Sequence, residues 1–371
     1  MGKREFIVLI SMLMALTALA LDRMLPAFAE MRADFGLASD SSGTALGVTA
    51  FLIGFGLGQP LWGPLSDALG RKRILWIGLG IYALAGLGAA LAPSLTVLLV
   101  LRFVAGLGAA AVRIVTLGAI RDRYHGDQMA KILSYVLAIF LLVPMVAPSL
   151  GAVLVSVGDW RWIFAFFALA ALITALWSTR LPETLPPERR LPFQLGGLLA
   201  ALRAVLGSRF TMGFTLAGLF VFGFFASYLA SSERIISDVF GLESWFPLIF
   251  GASSLMAGAA VLFNPRFIDR FGLRRMVRYA VIANLIAMAG LVLVALVTGG
   301  QPPFWLYMAM MVPILLSHSF VMPNLNSAAL LPLGRVAVTA AAVIGSISAL
   351  GGALLGALID GAYDGTVTPF A

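Results

Sequence analysis

Apolar runs of about 20 residues follow one another along almost the whole chain, and short loops between them hold most of the charges. A run of that length crosses the hydrocarbon core of a bilayer as an α-helix. The 371 residues are 61% hydrophobic and 11% charged, whereas an average soluble protein has about 25% charged residues. Because a soluble fold cannot bury so much apolar surface, the sequence predicts an all-α polytopic membrane protein.

The lengths of the runs predict eleven spanning helices. They lie near 6–28, 43–65, 73–92, 95–120, 129–155, 160–180, 209–230, 243–263, 274–298, 303–330 and 336–358. A proline-rich stretch and a segment expected to lie on the membrane surface separate the sixth helix from the seventh. This arrangement predicts a six-helix bundle at 1–180, a cytoplasmic linker at 181–208 and a second bundle at 209–371. Equal halves need one more helix, so we expect a twelfth to be missing from this version of the chain, with a true eleven-helix protein as the alternative.

The amino-terminal run has a second interpretation. Ala27, Phe28 and Ala29 resemble a signal-peptidase site, so a cleaved signal peptide is an alternative to a first spanning helix. We favour the spanning helix, because many more spans follow and a first helix keeps the halves equal.

Basic residues are concentrated on one side of the predicted membrane. The loops on the amino-terminal side hold most of the 25 Lys and Arg residues, whereas the opposite loops hold Arg32, Arg161 and Arg234. The opposite loops hold most of the acids: Glu30, Asp34, Asp40, Asp159, Glu233, Asp238, Glu243, Asp360 and Asp364. This bias predicts a cytoplasmic amino terminus. It also explains the net charge of +8 without nucleic-acid binding.

A charged turn occurs twice with a constant spacing along the chain. The pairs are Asp67 with Asp269, Gly70 with Gly272, and Arg73 with Arg275. Gly70 is expected to supply a tight turn, and Asp67 to face the amino-terminal end of predicted helix 11, after Gly334 and Arg335. The repeat predicts two similar halves and indicates a gate. The alternative is that the basic residues only set topology and anchor to anionic headgroups.

Asp22 is the acid placed inside a predicted span. A carboxylate at the bilayer centre costs roughly 2.5–3.5 kcal/mol on insertion scales, and burial disfavours its charged form. Such a group is suited to taking up and releasing a proton. The alternative is that Asp22 lies in water at the outer membrane interface and has a structural role, because the apolar run ends near it, at Phe28. No clear acid lies within an apolar run of the second half, so titrating chemistry is expected in the first half.

Arg102 and Arg113 lie about three turns apart on predicted helix 4, which brings both side chains to nearly one face. An arginine that faces lipid is too costly, so each needs a partner. Asp22 and a bound substrate are candidate partners, and for Arg102 backbone carbonyls are an equal alternative.

Other polar, aromatic and helix-bending residues are candidates for the cavity or for coupling. Pro144 and Pro148 should bend predicted helix 5, and Gly151 should allow close packing. The candidates for the cavity wall are Gln59, Tyr135, Phe224, Tyr228, His318, Asn324 and Asn326. For each of these residues, packing or hydrogen bonding between helices is the alternative.

The residue composition argues against metal and nucleotide sites. The chain has no Cys and two His, which excludes thiolate metal sites and leaves no basis for a His-rich one. No nucleotide-binding fingerprint occurs. We therefore expect no cofactor apart from a coupling proton.

The turn from Gly63 to Arg73, with Leu65, Ser66, Asp67 and Gly70 at fixed positions, resembles the signature loop of the major facilitator superfamily. Arg102 with Gly106 resembles the second motif of that family. The stretch 144–151 is similar to its antiporter motif, although Ala147 stands where glycine is usual. The resemblance implies two pseudo-symmetric six-helix bundles around a cavity that opens alternately to each side.

Three further stretches resemble the bicyclomycin/chloramphenicol-resistance branch of drug:proton antiporters. They are Leu21-Asp22 with Leu25-Pro26, Gly58-Gln59 before the charged turn, and Arg121-Asp122. Arg23 departs from that branch, which often has an apolar or aromatic residue there. The resemblance implies proton coupling at Asp22 with Arg102 as the residue that senses protonation.

The sequence therefore predicts a monomeric secondary transporter that exports lipophilic, drug-like molecules in exchange for protons and contacts membrane lipids. One alternative is a carrier for a specific, anionic metabolite or lipid-like substrate, since Arg23, Arg102 and Arg113 outnumber Asp22. A channel or a membrane enzyme is a more remote alternative.

Overall fold

The computed structural model describes residues 1–22, 24–38, 41–124, 128–129, 132, 136, 150–151, 153–155, 158–190, 195–333 and 337–371. The helices α1–α6 are Lys3–Asp22, Phe28–Asp34, Leu46–Leu69, Arg71–Ala90, Leu95–Arg123 and Arg161–Ser178. The helices α7–α12 are Leu195–Gly207, Arg209–Arg234, Phe246–Phe271, Leu273–Val297, Phe304–Leu330 and Ala337–Gly361. We call α1–α6 the first half and α8–α12 the second half.

The described residues form helices and turns without strands, and nine helical stretches among them are long and apolar enough to cross a membrane. The all-α polytopic prediction is therefore confirmed. Most of predicted helix 5 lies outside the described residues, although Ile132, Val136, Leu150 and Gly151 are helical. The predicted surface helix of the linker corresponds to α7. The division into three units stays a prediction.

The first predicted span is interrupted. Helix α1 ends at Asp22, a 3-10 turn covers Leu25–Ala27 with Pro26 near its start, and α2 then begins at Phe28. Proline has no backbone N–H to donate and is tolerated at the start of a helical turn. The break places Arg32 on its own short helix, where it meets the second half.

Close packing of α3 on α5 builds the core of the first half. A Cβ atom at Gly106 would collide with the carbonyl oxygen of Phe51, and one at Gly54 would collide with the carbonyl oxygen of Phe103. Glycine on both helices therefore lets the two backbones touch, as small residues do at helix contacts in membranes.

The repeated turn has the same backbone in both halves. Gly70 joins α3 to α4 with φ of 94°, and Gly272 joins α9 to α10 with φ of 77°. A positive φ of this kind is accessible to glycine at little cost. The halves themselves meet along α3 and α12, where the Ser346 hydroxyl donates a buried hydrogen bond of 2.7 Å to the Gly56 carbonyl.

The outer surfaces of the halves differ. Helix α6 packs against α4 and α1. No described helix holds the corresponding place beside α8 and α10, where an open groove is lined by residues such as Phe214, Val281 and Leu325. The expected twelfth helix stays a prediction.

Candidate substrate cavity and its two ends

A cavity of about 440 Å³ lies between the two halves. Asp67, Arg71, Arg121 and Asp122 line one end of it, and the side chain of Asp67 is 41% exposed there. We call this end of the molecule the basic face, because the chain's basic loops around α1, α4 and α5 lie there. The opposite end, which carries Asp34, Glu233 and Asp360, is called the acidic face. The cavity is therefore open at the basic face.

The wall of the cavity is mostly apolar with a few polar groups. Helices α3 and α5 contribute from the first half, and α8, α11 and α12 from the second. Of the predicted cavity residues that the structure describes, three line it: Gln59, Arg113 and Asn326. Apolar side chains surround them: Phe55, Ile114, Leu117, Phe222, Met322 and Ile344. The size and lining are typical of a site for a small organic molecule.

Arg113 gives the interior of the cavity its charge. It is the charged side chain in the described lining away from the mouth, and its guanidinium lies 5.5 Å from the centre of the Phe55 ring. A cation over an aromatic face, in a wall that also holds Gln59 and Asn326, suits a ligand with an aromatic body and an oxygen-rich or anionic group.

Arg102 does not line the cavity. It is 1% exposed, and it donates hydrogen bonds to the carbonyls of Gly47 at 3.1 Å and Ala20 at 2.9 Å. The Ala20 carbonyl belongs to the last turn of α1, where helix carbonyls lack intrahelical partners. The structure thus shows the backbone-binding alternative for Arg102. The side chain of Asp22 lies outside the described residues, so a pairing with Asp22 stays a prediction.

Arg102→Lys is expected to lower the unfolding temperature of the purified protein. Lysine keeps the charge but cannot span both carbonyls as the guanidinium fork does, and losing a hydrogen bond to a charged group costs about 1.5–3 kcal/mol. Thermal unfolding in detergent measures the effect. Arg73→Lys is the matched control, because Arg73 is exposed. An unchanged unfolding temperature in Arg102→Lys would contradict this account.

The remaining predicted cavity residues lie elsewhere or outside the described part. Phe224 and Tyr228 are buried in an aromatic cluster in which Tyr228 stacks on Phe250, and His318 stacks on Phe225. Asn324 exchanges two hydrogen bonds with Asn264, of 3.0 and 3.3 Å. Tyr135, Pro144 and Pro148 lie outside the described residues, whereas Gly151 is buried in a helix. Their proposed roles in binding or coupling stay predictions.

Arg71 is the centre of a network at the mouth of the cavity. Its side chain donates to Ser66 at 2.6 Å and pairs with Asp67 at 2.7 Å and Asp122 at 2.9 Å. Glu183 of the linker accepts hydrogen bonds from the backbone nitrogens of Arg71 and Lys72, at 3.0 and 3.3 Å. A carboxylate is favoured there by the free N–H groups and the dipole of α4. The network connects the turn, α5 and the linker.

The sequence did not indicate the partners of Arg71. Asp122 belongs to the Arg121-Asp122 stretch that carried the family resemblance, and Glu183 belongs to the proline-rich stretch, but neither pattern indicated a contact with Arg71. The predicted partner of Asp67, at Gly334 and Arg335, lies outside the described residues. In the second copy of the turn, Asp269, Gly272 and Arg275 are exposed.

At the acidic face, charged residues are buried where the two halves meet. Arg32 donates to both carboxylate oxygens of Glu233 at 3.3–3.4 Å, and the two side chains are 8% and 6% exposed. Arg234 pairs with Asp360, which also accepts a hydrogen bond of 2.9 Å from Ser231. Of these contacts, the Arg32–Glu233 pair joins the two halves at this end of the molecule.

The buried acids correct one expectation from the sequence. Glu233 and Asp360 were assigned to loops, yet α8 continues to Arg234 and α12 to Gly361, so the second half does bury acids within its helices. Arginine partners make this burial tolerable, because a paired buried charge costs far less than an unpaired one. Burial, together with Asp238, raises the pKa of Tyr363, whose ring covers Arg234.

Comparison with known proteins gives one consistent family. The family model described as "Major Facilitator Superfamily" matches residues 7–356. The chain is 31% identical to the "Uncharacterized MFS-type transporter YdgK" of Bacillus subtilis, over 97% of this chain and 89% of that one. It is 28% identical to the "Bicyclomycin resistance protein homolog" of Haemophilus influenzae, over 98% and 91% of the two chains.

A solved structure has the same fold. The "D-xylose-proton symporter" superposes with a TM-score of 0.78 and 16% identity, over 96% of this chain and 88% of that one. The family model and the relatives confirm the family resemblance that the sequence motifs indicated. The chain belongs to the major facilitator superfamily of membrane transporters.

Proposed function

We propose that this transporter exports lipophilic, drug-like small molecules by alternating access, in exchange for protons. The observation that carries the proposal is the cavity of about 440 Å³ between the halves, with an apolar and aromatic wall and one open end. The similarity to a bicyclomycin resistance protein homolog supports the substrate class. The family consists of transporters, which speaks against a membrane enzyme.

The proposed orientation places the amino terminus and the basic face in the cytoplasm of a bacterial inner membrane. It is supported by the concentration of Lys and Arg in the loops of that face. In this orientation the cavity is open to the cytoplasm and closed to the outside by the Arg32–Glu233 contact. Such a state loads substrate from the cytoplasm or the inner leaflet, and the transporter is proposed to do so as a monomer among membrane lipids.

Proton coupling is proposed at Asp22, as the family resemblance implies. Asp22 is the last residue of α1, and Arg102 binds the nearby Ala20 carbonyl. A proton on Asp22 would change the charge at the end of α1. Arg102 of α5 hydrogen-bonds to this end of α1 and to α3, so the change would act where the three helices meet. The cycle would then take up a proton from outside, release substrate outward and deliver the proton to the cytoplasm.

A second candidate function is the transport of an anionic amphipathic compound. It is favoured by the position of Arg113 in the wall of the cavity, together with the polar side chains of Gln59 and Asn326. A guanidinium pairs well with a carboxylate or phosphate, and it repels a lipophilic cation.

Drug-induced proton release from inverted membrane vesicles tests both functions. Neutral, cationic and anionic aromatic compounds are added to acid-loaded vesicles, and dequenching of a pH-sensitive dye is recorded. We expect neutral drug-like compounds to cause release, and Asp22→Asn to reduce its initial rate at least tenfold. Asp34→Asn is the control, because Asp34 is an acid of the acidic face that pairs with Arg161 within the first half.

The outcomes separate the candidates. Unchanged release in Asp22→Asn would contradict coupling at Asp22. A response to anionic compounds alone that is lost in Arg113→Gln would favour the second candidate. No response to any compound, with folded protein in the vesicles, would contradict both.

A further inference from the structure

We propose that the wall of the cavity holds a carboxamide-binding subsite, formed by the backbone carbonyl of Pro60, the side chain of Gln59 and the guanidinium of Arg113. The inference rests on the proposed export of drug-like molecules and names a chemical class among them, neutral aromatic compounds that carry an amide N–H. Gln59 and the Pro60 carbonyl are then the groups that determine specificity through hydrogen bonds.

Two prolines in α3 each release a backbone carbonyl. Pro60 and Pro64 lie inside the helix, and a proline has no N–H to donate to the carbonyl four residues earlier. The carbonyls of Gly56 and Pro60 therefore lose their donors within the helix. Because a buried carbonyl without a donor is costly, each of them needs a partner from elsewhere.

The Gly56 carbonyl has such a partner, whereas the Pro60 carbonyl is open to the cavity. The Ser346 hydroxyl of α12 donates to the Gly56 carbonyl at 2.7 Å and so replaces the missing N–H. The Pro60 carbonyl lies one turn nearer to the mouth, between Pro60 and Pro64, which both line the cavity. Within the described part of the chain, no side chain donates to it. It is therefore an acceptor for a molecule in the cavity.

Gln59 is a buried amide that also lacks a partner. It is 5% exposed and lines the cavity, and no described residue forms a hydrogen bond with its side chain. Buried polar side chains are mostly hydrogen-bonded. A Cβ atom at Gly345 would lie 2.9 Å from the Gln59 Oε1 atom, so the amide stands against the backbone of α12. A molecule in the cavity is the partner that this position allows.

Arg113 supplies a donor at the same depth. Gln59 and Arg113 each precede a residue of the mouth, Asp67 and Arg121 respectively, by eight positions along their helices, which is about 12 Å of helix. Helices α3 and α5 pack against each other. The Arg113 guanidinium lies 5.5 Å from the centre of the Phe55 ring, one turn of α3 away from Gln59. The three polar groups therefore belong to one part of the wall.

The chemistry of these groups selects a neutral amide. The Pro60 carbonyl only accepts hydrogen bonds, the Arg113 guanidinium only donates them, and the Gln59 side chain does both. A carboxamide matches this set, because its oxygen can accept from Arg113 while its N–H donates to the Pro60 carbonyl. An ester lacks the N–H, and a carboxylate places a second oxygen against the Pro60 carbonyl. The Phe55 ring provides a surface for the aromatic body of the ligand.

Equilibrium binding to the purified protein in detergent tests the proposal. The probes are naphthalene-2-carboxamide, its ester analogue methyl naphthalene-2-carboxylate, and the naphthalene-2-carboxylate anion, and isothermal titration calorimetry gives the Kd of each. A site built to bond an N–H group rejects an analogue that lacks it. We therefore expect the wild type to bind the amide roughly tenfold more tightly than the ester, and more tightly than the anion. The ratio of the ester Kd to the amide Kd is the readout, because partition of the probes into detergent cancels when variants are compared.

Two variants should lower this ratio. Gln59→Leu should bring it to within about twofold of one while the ester Kd stays within about twofold of the wild-type value. Pro64→Ala should lower it about threefold, because the restored N–H takes the Pro60 carbonyl back into the helix. Gln301→Leu and Pro313→Ala are the matched controls. They make the same chemical changes at exposed positions outside the described lining of the cavity and should keep the wild-type ratio.

Several outcomes would overturn the assignment. They are a wild type that binds neither the amide nor the ester, shows no preference for the amide, or prefers the anion. An amide preference that persists in both Gln59→Leu and Pro64→Ala would also overturn it. If Gln59→Leu loses the ester as well, Gln59→Asn takes its place, because it keeps an amide in the span and withdraws it by one methylene group. An unchanged ratio in Gln59→Asn would then count against the subsite.

This measurement uses neither vesicles nor a proton gradient, so it fails independently of the proposed function. An amide preference in a protein that releases no protons with any drug would contradict the export function and leave the subsite assigned. Drug-induced proton release by a protein without an amide preference would overturn the subsite and leave the export function intact.

Discussion

Gly106→Leu is expected to abolish folded protein in the membrane. A Cβ at this position would collide with the Phe51 carbonyl and lie 2.8 Å from the Phe55 nitrogen. Both atoms belong to the backbone of α3, so no side-chain rotation relieves the contact and the helices must separate. Ordinary overpacking of a core costs about 1–3 kcal/mol, and separating two helices that pack along most of their length costs more. Total stability is only about 5–15 kcal/mol for a typical domain.

The measurement is the yield of monodisperse protein after extraction and size-exclusion chromatography. Gly80→Leu is the matched control, because it also lies mid-helix in the first half and a Cβ there meets nothing within 4 Å. We expect Gly80→Leu to give the wild-type yield. Equal yields for the two variants would show that α3 and α5 do not pack as described.

Arg71→Gln is expected to lower the rate of drug-induced proton release at least tenfold while leaving the protein folded. Arg71 is the cation between Asp67 and Asp122, and its removal takes away the side chain that pairs with both carboxylates at the mouth of the cavity. A hydrogen bond to a charged group contributes about 1.5–3 kcal/mol. A change of 1.4 kcal/mol is about a factor of ten in an equilibrium constant, so the balance between the two conformations should shift strongly.

Arg73→Gln is the control for this prediction. Arg73 is a second arginine of the same turn, and it is exposed. Both variants are measured in vesicles that contain equal amounts of protein. If Arg73→Gln reduced transport as much as Arg71→Gln, the loss would reflect the general positive charge of the turn, and the specific role of Arg71 would be wrong.

The positions of the helices follow from local properties of the sequence. Nine stretches of the described chain are apolar and long enough to span, and most lie within a few residues of the predicted ranges. The turn glycines Gly70 and Gly272 mark helix boundaries because their backbone angles favour glycine wherever they occur. The break after Asp22 also had a local sign, Pro26, although the prediction extended helix 1 beyond it.

The candidate site was harder to predict from the sequence, because it is formed by contacts between residues that are distant in sequence. The sequence indicated Gln59, Arg113 and Asn326 as cavity residues, since a polar group in a span avoids lipid. It also indicated Phe224, Tyr228 and Asn324, which lie in a buried cluster or hydrogen-bond to a neighbouring helix, and their roles in the cavity stay predictions. A polar residue within a span is expected to face protein, but the sequence does not show whether that protein surface is a cavity or a neighbouring helix.

By itself, the sequence determined that this chain spans a membrane, where its helices lie, that its two halves repeat, and to which family it belongs. These properties depend on the length of the apolar runs, on the side of the membrane where the basic loops lie, and on short motifs. Each of these features is set by residues that are close together in the sequence. Only the tertiary structure decided that Arg102 binds backbone, that Arg71 pairs with Asp122, and that Glu233 is buried against Arg32. Arg32 and Glu233 are 201 positions apart, and a charge acquires its partner and its burial only when folding brings the two halves together.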